Sequence, residues 1–88
     1  MVERVVKIIN RAGIHARPAS AIVQKTKNFK ASVYFEDGSR KIDAKSILSI
    51  ITLGAAYGKE IKITAEGEDE QYALDTIAHL FETKFEEE

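Results

Sequence analysis

Residues 31–43 read Ala31-Ser32-Val33-Tyr34-Phe35-Glu36-Asp37-Gly38-Ser39-Arg40-Lys41-Ile42-Asp43. From Ala31 to Glu36 the side chains alternate, the period of a strand with one buried face. Asp37-Gly38 is a strong hairpin-turn signal, and Ser39–Asp43 then returns as a second strand. Upstream, Arg4–Ile9 is rich in Val and Ile and reads as a strand, followed by a loop over Asn10–Gly13. From His15 onward, Ala19, Ile22, Val23 and Thr26 repeat at the spacing of one helix face. Downstream, Ser46–Leu53 reads as a short helix, with Ser46 at its N-cap and Gly54 just past its end. Ile61, Ile63 and Ala65 alternate with Lys62 and Thr64 as another strand. Asp69–Phe85 reads as a long helix with Ala73, Ile77, Leu80 and Phe81 inward.

The order is therefore β-α-β-β-α-β-α. Strands joined by helices and one hairpin predict an α+β fold: a four-stranded, mainly antiparallel sheet with three helices on one face. The other face is expected to be open to water. Ser32, Tyr34, Glu36, Lys41, Asp43, Lys62 and Thr64 suit that exposure.

The chain has 88 residues, and one domain over 1–88 is expected. It has no cysteine, which excludes disulfides, a thiol nucleophile and a cysteine metal site. The start, Met1–Asn10, carries charges where a signal peptide needs an apolar stretch. Ile47–Tyr57 is nearly apolar but is broken by Ser49, Thr52 and Gly54 and falls well short of the roughly 20 residues of a membrane span. A cytoplasmic protein without membrane insertion is expected. Net charge is −1, yet residues 1–45 carry +6 and residues 46–88 carry −7. The bland reading is solvated faces of opposite sign. The sharper one is a basic area around His15 and Arg17 that attracts an acidic partner. Nothing resembles the dense basic stripe of a nucleic-acid binder, and Tyr34 alone is a clear outward aromatic for a small RNA-binding domain. Glu86-Glu87-Glu88 reads as a frayed acidic end.

Gly13-Ile14-His15-Ala16-Arg17-Pro18-Ala19-Ser20 places a histidine where a helix begins. His15 fits the N-cap or the first helical position. The first N–H groups of a helix have no internal partner and carry partial positive charge, so they favour an anion. Ala16 leaves them uncovered, and the backbone of Ala16 and Arg17 is the candidate phosphate cradle. The Arg17 guanidinium adds a permanent, bidentate cation. Pro18 in the first turn removes no helical hydrogen bond, although it disfavours helical geometry at Arg17. Neutral imidazole is a competent nucleophile, able to carry a phosphoryl group as a phosphoramidate with no metal. A histidine that merely caps a helix or sits in a loop is the competing reading. His79, on the polar side of the last helix with Tyr72, Asp75, Thr76 and Thr83, reads as a solvated residue.

Ser46 is a second candidate. Capping accounts for a serine there, and a helix start would equally accept a phosphate on it. Ile47, Leu48, Ile50, Ile51 and Leu53 go nearly around this short helix. Ile50 and Leu53 are assigned to the core. That leaves Ile47, Leu48 and Ile51 as a partly exposed apolar patch suited to a protein partner.

Together, Gly13–Ala19, Lys45-Ser46-Ile47, Leu53-Gly54-Ala55-Ala56-Tyr57-Gly58 and Gly67 before the last helix resemble the HPr family. These are the histidine-containing phosphocarriers of the bacterial phosphoenolpyruvate:sugar phosphotransferase system. The resemblance covers essentially the whole chain. It implies an open-faced β-sandwich and a phosphoryl relay without turnover of its own. His15 would accept phosphate on Nδ1 from phosphorylated enzyme I and pass it to an enzyme IIA. Arg17 would steady the phosphate. The chain itself would need no cofactor; phosphoenolpyruvate and Mg²⁺ serve enzyme I. In relatives with an HPr kinase/phosphorylase, the serine matching Ser46 is phosphorylated for regulation, which slows acceptance at the histidine and can create a corepressor for a transcriptional regulator. Ile47, Leu48 and Ile51 match the partner-docking surface. Exchange with several partners suggests a monomer.

This chain departs from the pattern at two places. Ala12 stands where many members have Ser or Thr, and Leu48 and Ile51 stand where Met is frequent. The end, Phe81–Glu88, somewhat resembles the nitrogen-related branch, NPr. A non-catalytic regulatory module is the other alternative, but its representative Crh lacks the active histidine, which His15 supplies here.

Overall fold

The computed structural model describes residues 1–86. Strand β1 is Val2–Lys7, helix α1 Ala16–Thr26, β2 Ser32–Asp37, β3 Arg40–Asp43, α2 Ile47–Leu53, β4 Glu60–Glu66 and α3 Glu70–Glu82. The strands form one sheet in the order β1-β4-β2-β3, with every neighbouring pair antiparallel. The expected α+β fold, a four-stranded sheet with three helices packed on one face, is the one observed.

Val6, Val33, Phe35, Ile61, Ile63 and Ala65 bury their side chains on the helical face of the sheet. Pro18, Ala19, Ile22 and Thr26 of α1, Ile50 and Leu53 of α2, and Ala73, Leu74, Ile77, Ala78, Leu80 and Phe81 of α3 close over them. Phe35 meets Phe81 edge-on at 5.7 Å between centroids, and Phe85 meets Phe81 in an inclined, edge-type contact at 4.9 Å. Buried aromatics in such geometry contribute about 0.5–1.5 kcal/mol per pair beyond the area they bury. The helix α2 begins at the Ser46 cap and stops at Gly54, as its local signals predict. No helix among the described residues is long and apolar enough to cross a membrane.

Several boundaries and one face differ from expectation; β2 starts at Ser32 rather than Ala31, and α3 at Glu70 with Asp69 as its N-cap. Strand β1 runs over Val2–Lys7 rather than Arg4–Ile9, because its length is set by β4, whose first residue Glu60 pairs with Lys7. Ile8 then leaves the ladder but still exchanges hydrogen bonds with Lys59 (2.9 Å) and Gly58 (2.8 Å). The hairpin loop is Gly38-Ser39, with Asp37 opposite Arg40, so Asp37 closes β2 and β3 starts at Arg40 instead of Ser39. Thr64, expected in water, is buried because β4 is central and Thr64 lies between Glu3 and Tyr34 in the register. Helix α3 ends at Glu82 rather than Phe85: Lys84 and Phe85 take left-handed backbone (φ 55° and 57°), which turns the Phe85 ring back onto Phe81. Of the acidic end, Glu87 and Glu88 lie outside the described residues.

Asp69 fixes the entrance to β2 against the entrance to α3. Its carboxylate caps no N–H of its own helix; it accepts from Lys30 N–H (3.0 Å) and Ala31 N–H (2.7 Å). Gly67 makes this crossing possible, since a Cβ there would lie 2.6 Å from the Ala31 Cα. Partial withdrawal from water pushes the Asp69 carboxyl up, but the two N–H donors and the Lys30 cation outweigh it and hold the group below its ordinary value. The Gly67 N–H and the terminal ammonium of Met1 likewise lower Glu70. A carboxylate depressed by folding stabilises the fold above its unfolded pKa, and that contribution disappears as pH falls through the folded value. Urea unfolding as a function of pH therefore tests the assignment. The parent should lose stability as the pH drops below about 4. Asp69→Asn should be the weaker protein at pH 7, and the two curves should converge in acid; parallel curves would refute it.

Candidate functional site

His15 occupies the N-cap of α1 in extended conformation (φ −113°, ψ −162°), and its side chain makes no capping bond. Ala16 and Arg17 are the first helical residues, so the helix starts before Pro18 despite the restriction proline places on Arg17. The first helical hydrogen bond runs from Ala19 N–H to the His15 carbonyl at 3.0 Å. The N–H groups of Ala16 and Arg17 thus have no carbonyl one turn back, and Pro18 has no N–H to offer. His15, Ala16 and Arg17 all stand exposed, while Pro18 is buried and anchors the turn. Arg17 has no hydrogen bond or ion pair among the described residues. The result is an imidazole, a two-donor backbone cradle and an available guanidinium side by side on the surface, open to a macromolecule rather than sunk in a cleft.

The loop in front of His15 is held from three sides. Gly13 N–H donates to Asn10 O (3.0 Å), Asn10 Nδ2 donates to Gly13 O (2.7 Å), and Ile14 N–H donates to Ala55 O (3.0 Å). Asn10 is buried and was not singled out by the sequence, although an asparagine three residues before a turn glycine is a known loop-closing device. Gly13 has φ +73°, and a Cβ on it would lie 2.8 Å from Ala55 O and 3.3 Å from Ala56 Cα. The segment after α2 is therefore the shelf on which the histidine loop rests.

Ser46 is the N-cap of α2, and its Oγ accepts from Ser49 N–H at 3.2 Å. Two bonds hold the approach to it: Thr26 Oγ1 donates to Ala44 O (2.8 Å) and Lys45 Nζ to Phe29 O (3.0 Å). The start of α2 thus lies by the end of α1, whereas the segment after α2 touches the loop before α1. The two helices run antiparallel, and His15 and Ser46 sit at opposite ends of the pair. The seven residues of α2 at 1.5 Å each amount to about 10 Å of helix. The structure does not bring the two candidate positions together. Between them, Ile47, Leu48 and Ile51 are 42%, 75% and 39% exposed, while Ile50 and Leu53 are buried as assigned. Tyr57 on the shelf is a further exposed large side chain, at 59%. His79 is exposed on α3, as expected of a solvated residue.

A family model described as the PTS HPr component phosphorylation site matches residues 2–83. The chain belongs to the HPr phosphocarrier family. It is 42% identical to the phosphocarrier protein HPr of Treponema pallidum over 88 residues, all of both chains. It is 38% identical to the HPr-like protein Crh of Bacillus subtilis over 78 residues, 89% of this chain and 92% of that one. A crystal structure of HPr from Thermoanaerobacter tengcongensis superposes with a TM-score of 0.95 at 41% identity, covering 100% of this chain and 99% of the other.

The contact at Gly13 yields a prediction. Gly13→Ala combines left-handed backbone with a methyl pressed against main chain, which should cost about 1–3 kcal/mol. Denaturant unfolding measures it. In the folded variant the Ile14 and His15 amide resonances should move while those of β2 and β3 stay; unchanged Ile14 and His15 shifts would mean the loop is not held as described.

Proposed function

We propose that this protein is a phosphoryl relay of the phosphotransferase system, with His15 as acceptor and donor. The observation that carries this reading is an N-cap histidine whose side chain is not used as a cap, set beside uncovered first-turn N–H groups and an unpaired arginine. In-line attack by the imidazole nitrogen forms a P–N bond as the bond from phosphorus to the donor group on enzyme I breaks. The three remaining oxygens then face the Ala16 and Arg17 N–H groups and the Arg17 guanidinium, which offset their charge. The resulting phosphoramidate carries the group to an enzyme IIA, where the reverse displacement restores the free ring. Phosphoenolpyruvate and Mg²⁺ are consumed or used by enzyme I, and the relay works in the cytoplasm.

Arg17 and Lys25 of α1 and Lys27 at its C-cap are exposed, as are Ile47, Leu48 and Ile51 of the neighbouring α2. That pairing suits a partner with an apolar centre and an acidic rim, and accounts for the basic half of the chain as a steering surface. Ser46 is the regulatory position in this reading. A phosphate on its Oγ would add negative charge beside the patch, opposing an acidic partner from the far end of the helix pair without contacting His15. A host kinase/phosphorylase and a transcriptional regulator are the corresponding partners. The match to Crh favours a second reading, a regulatory binding module, and a nitrogen-branch carrier would use the same His15 chemistry.

Incubation with enzyme I, phosphoenolpyruvate and Mg²⁺, followed by ³¹P NMR, separates these readings. The relay predicts an acid-labile phosphoramidate in the parent and none in His15→Ala. No phosphorylation by competent enzyme I of either branch would leave the regulatory module, with Ser46 as its centre. Arg17→Gly should remain folded and accept phosphate about 10- to 100-fold more slowly, the scale of one charge-assisted hydrogen bond.

A further inference from the structure

The shelf beneath the histidine loop is itself gripped at both ends by one distant element, the tip of the β2–β3 hairpin. Asp37 and Arg40 are the last pair before the Gly38-Ser39 loop. Arg40 Nη2 donates to Thr52 O (2.9 Å) and Nη1 to Leu53 O (3.1 Å), so one guanidinium satisfies two of the orphan carbonyls ending α2. Asp37, 18% exposed, pairs with Lys59 Nζ at 2.8 Å. The five residues between these two grips, Gly54–Gly58, include Ala55, which accepts the Ile14 N–H, and Ala56, against which Gly13 packs. Gly58 N–H also donates to Ile8 O at 2.8 Å, at the other end of the histidine loop.

We propose that Asp37 and Arg40 form a clamp on the 52–59 segment and are positioning residues for His15. Neither touches the phosphoryl group. They act by fixing the Ala55 carbonyl, and with it the Ile14 amide and the N-cap geometry of His15. This inference rests on His15 being the acceptor, and it extends the site to a hairpin that the motif does not include.

The test uses Asp37→Asn and Arg40→Gln in the full chain, with Glu68→Gln as control, since that change removes only the exposed Lys30–Glu68 pair. The two clamp variants change net charge in opposite directions. Simple electrostatic steering of a partner would move KM for enzyme I in opposite senses and leave kcat alone. The clamp instead predicts that both lower kcat, by up to about tenfold for a slightly misplaced nucleophile, with smaller changes in KM. It also predicts faster hydrogen exchange at the Ile14 amide in both variants, about tenfold, because that bond opens more often when its acceptor is loose. Arg40→Lys, which keeps the charge but cannot fork onto two carbonyls, should fall with Arg40→Gln. Unchanged Ile14 exchange in both variants, or faster exchange with kcat unaltered, would overturn the proposal. Exchange needs no partner, so a parent that enzyme I fails to phosphorylate would refute His15 as acceptor while Ile14 still decides whether the clamp exists.

Discussion

Gly13 approaches the Ala55 carbonyl so closely that only a hydrogen fits where another residue would carry a methyl group. This contact joins two loops far apart in sequence and makes the remaining surface chemistry possible. It brings the end of β1 and the start of α1 against the segment that follows α2, so the histidine is not at the tip of a free loop. The ring owes its exposure to position, since it stands on a helix end, and its order to the backbone beneath it. The proposed relay through His15 needs both properties together.

The site then follows from very little side-chain chemistry. In the proposed relay, the charge of the phosphate is met by the main-chain N–H groups of Ala16 and Arg17 and by one guanidinium. Main-chain donors at a helix start cannot rotate away, so they favour an anion without reorganising. The neighbouring apolar residues of α2 lie exposed because the seven-residue helix uses only Ile50 and Leu53 to reach the core. A thin, one-sided core thus leaves hydrophobic surface on the outer side of α2.

Much of this was readable from the residues because the signals are local. Ser46, Ile47–Leu53 and Gly54 specify a cap, a helix and a stop within nine positions, and the structure follows them to the residue. His15 before Ala16-Arg17-Pro18 was equally plain, since capping chemistry acts over a single turn. What escaped the sequence is set by partners distant along the chain. The extent of β1 depends on where β4 begins, and the burial of Thr64 on which strands flank it. Asp69 looks like the cap of its own helix but spends its carboxylate on Lys30 and Ala31, 39 and 38 residues away. Asp37 and Arg40 read as ordinary charges flanking a turn, because nothing near them in sequence reveals that Lys59 and the end of α2 lie opposite. The left-handed turn at Lys84 and Phe85 lays the Phe85 ring against Phe81, which in turn meets Phe35 of β2, a neighbour far away in sequence.

The strand order β1-β4-β2-β3 also has a temporal side. On the ribosome β1 emerges first, yet β4, its one neighbour in the sheet among the described residues, emerges last of the four strands. The hairpin of β2 and β3 can close as soon as it is out, whereas β1 must wait until some sixty residues have followed it. Its exposed Val5 and the apolar edge of the waiting strand are therefore uncovered for most of synthesis. Charged Glu3, Arg4 and Lys7, interspersed along that strand, are the kind of residues that keep an unpaired edge from joining another chain in the interval.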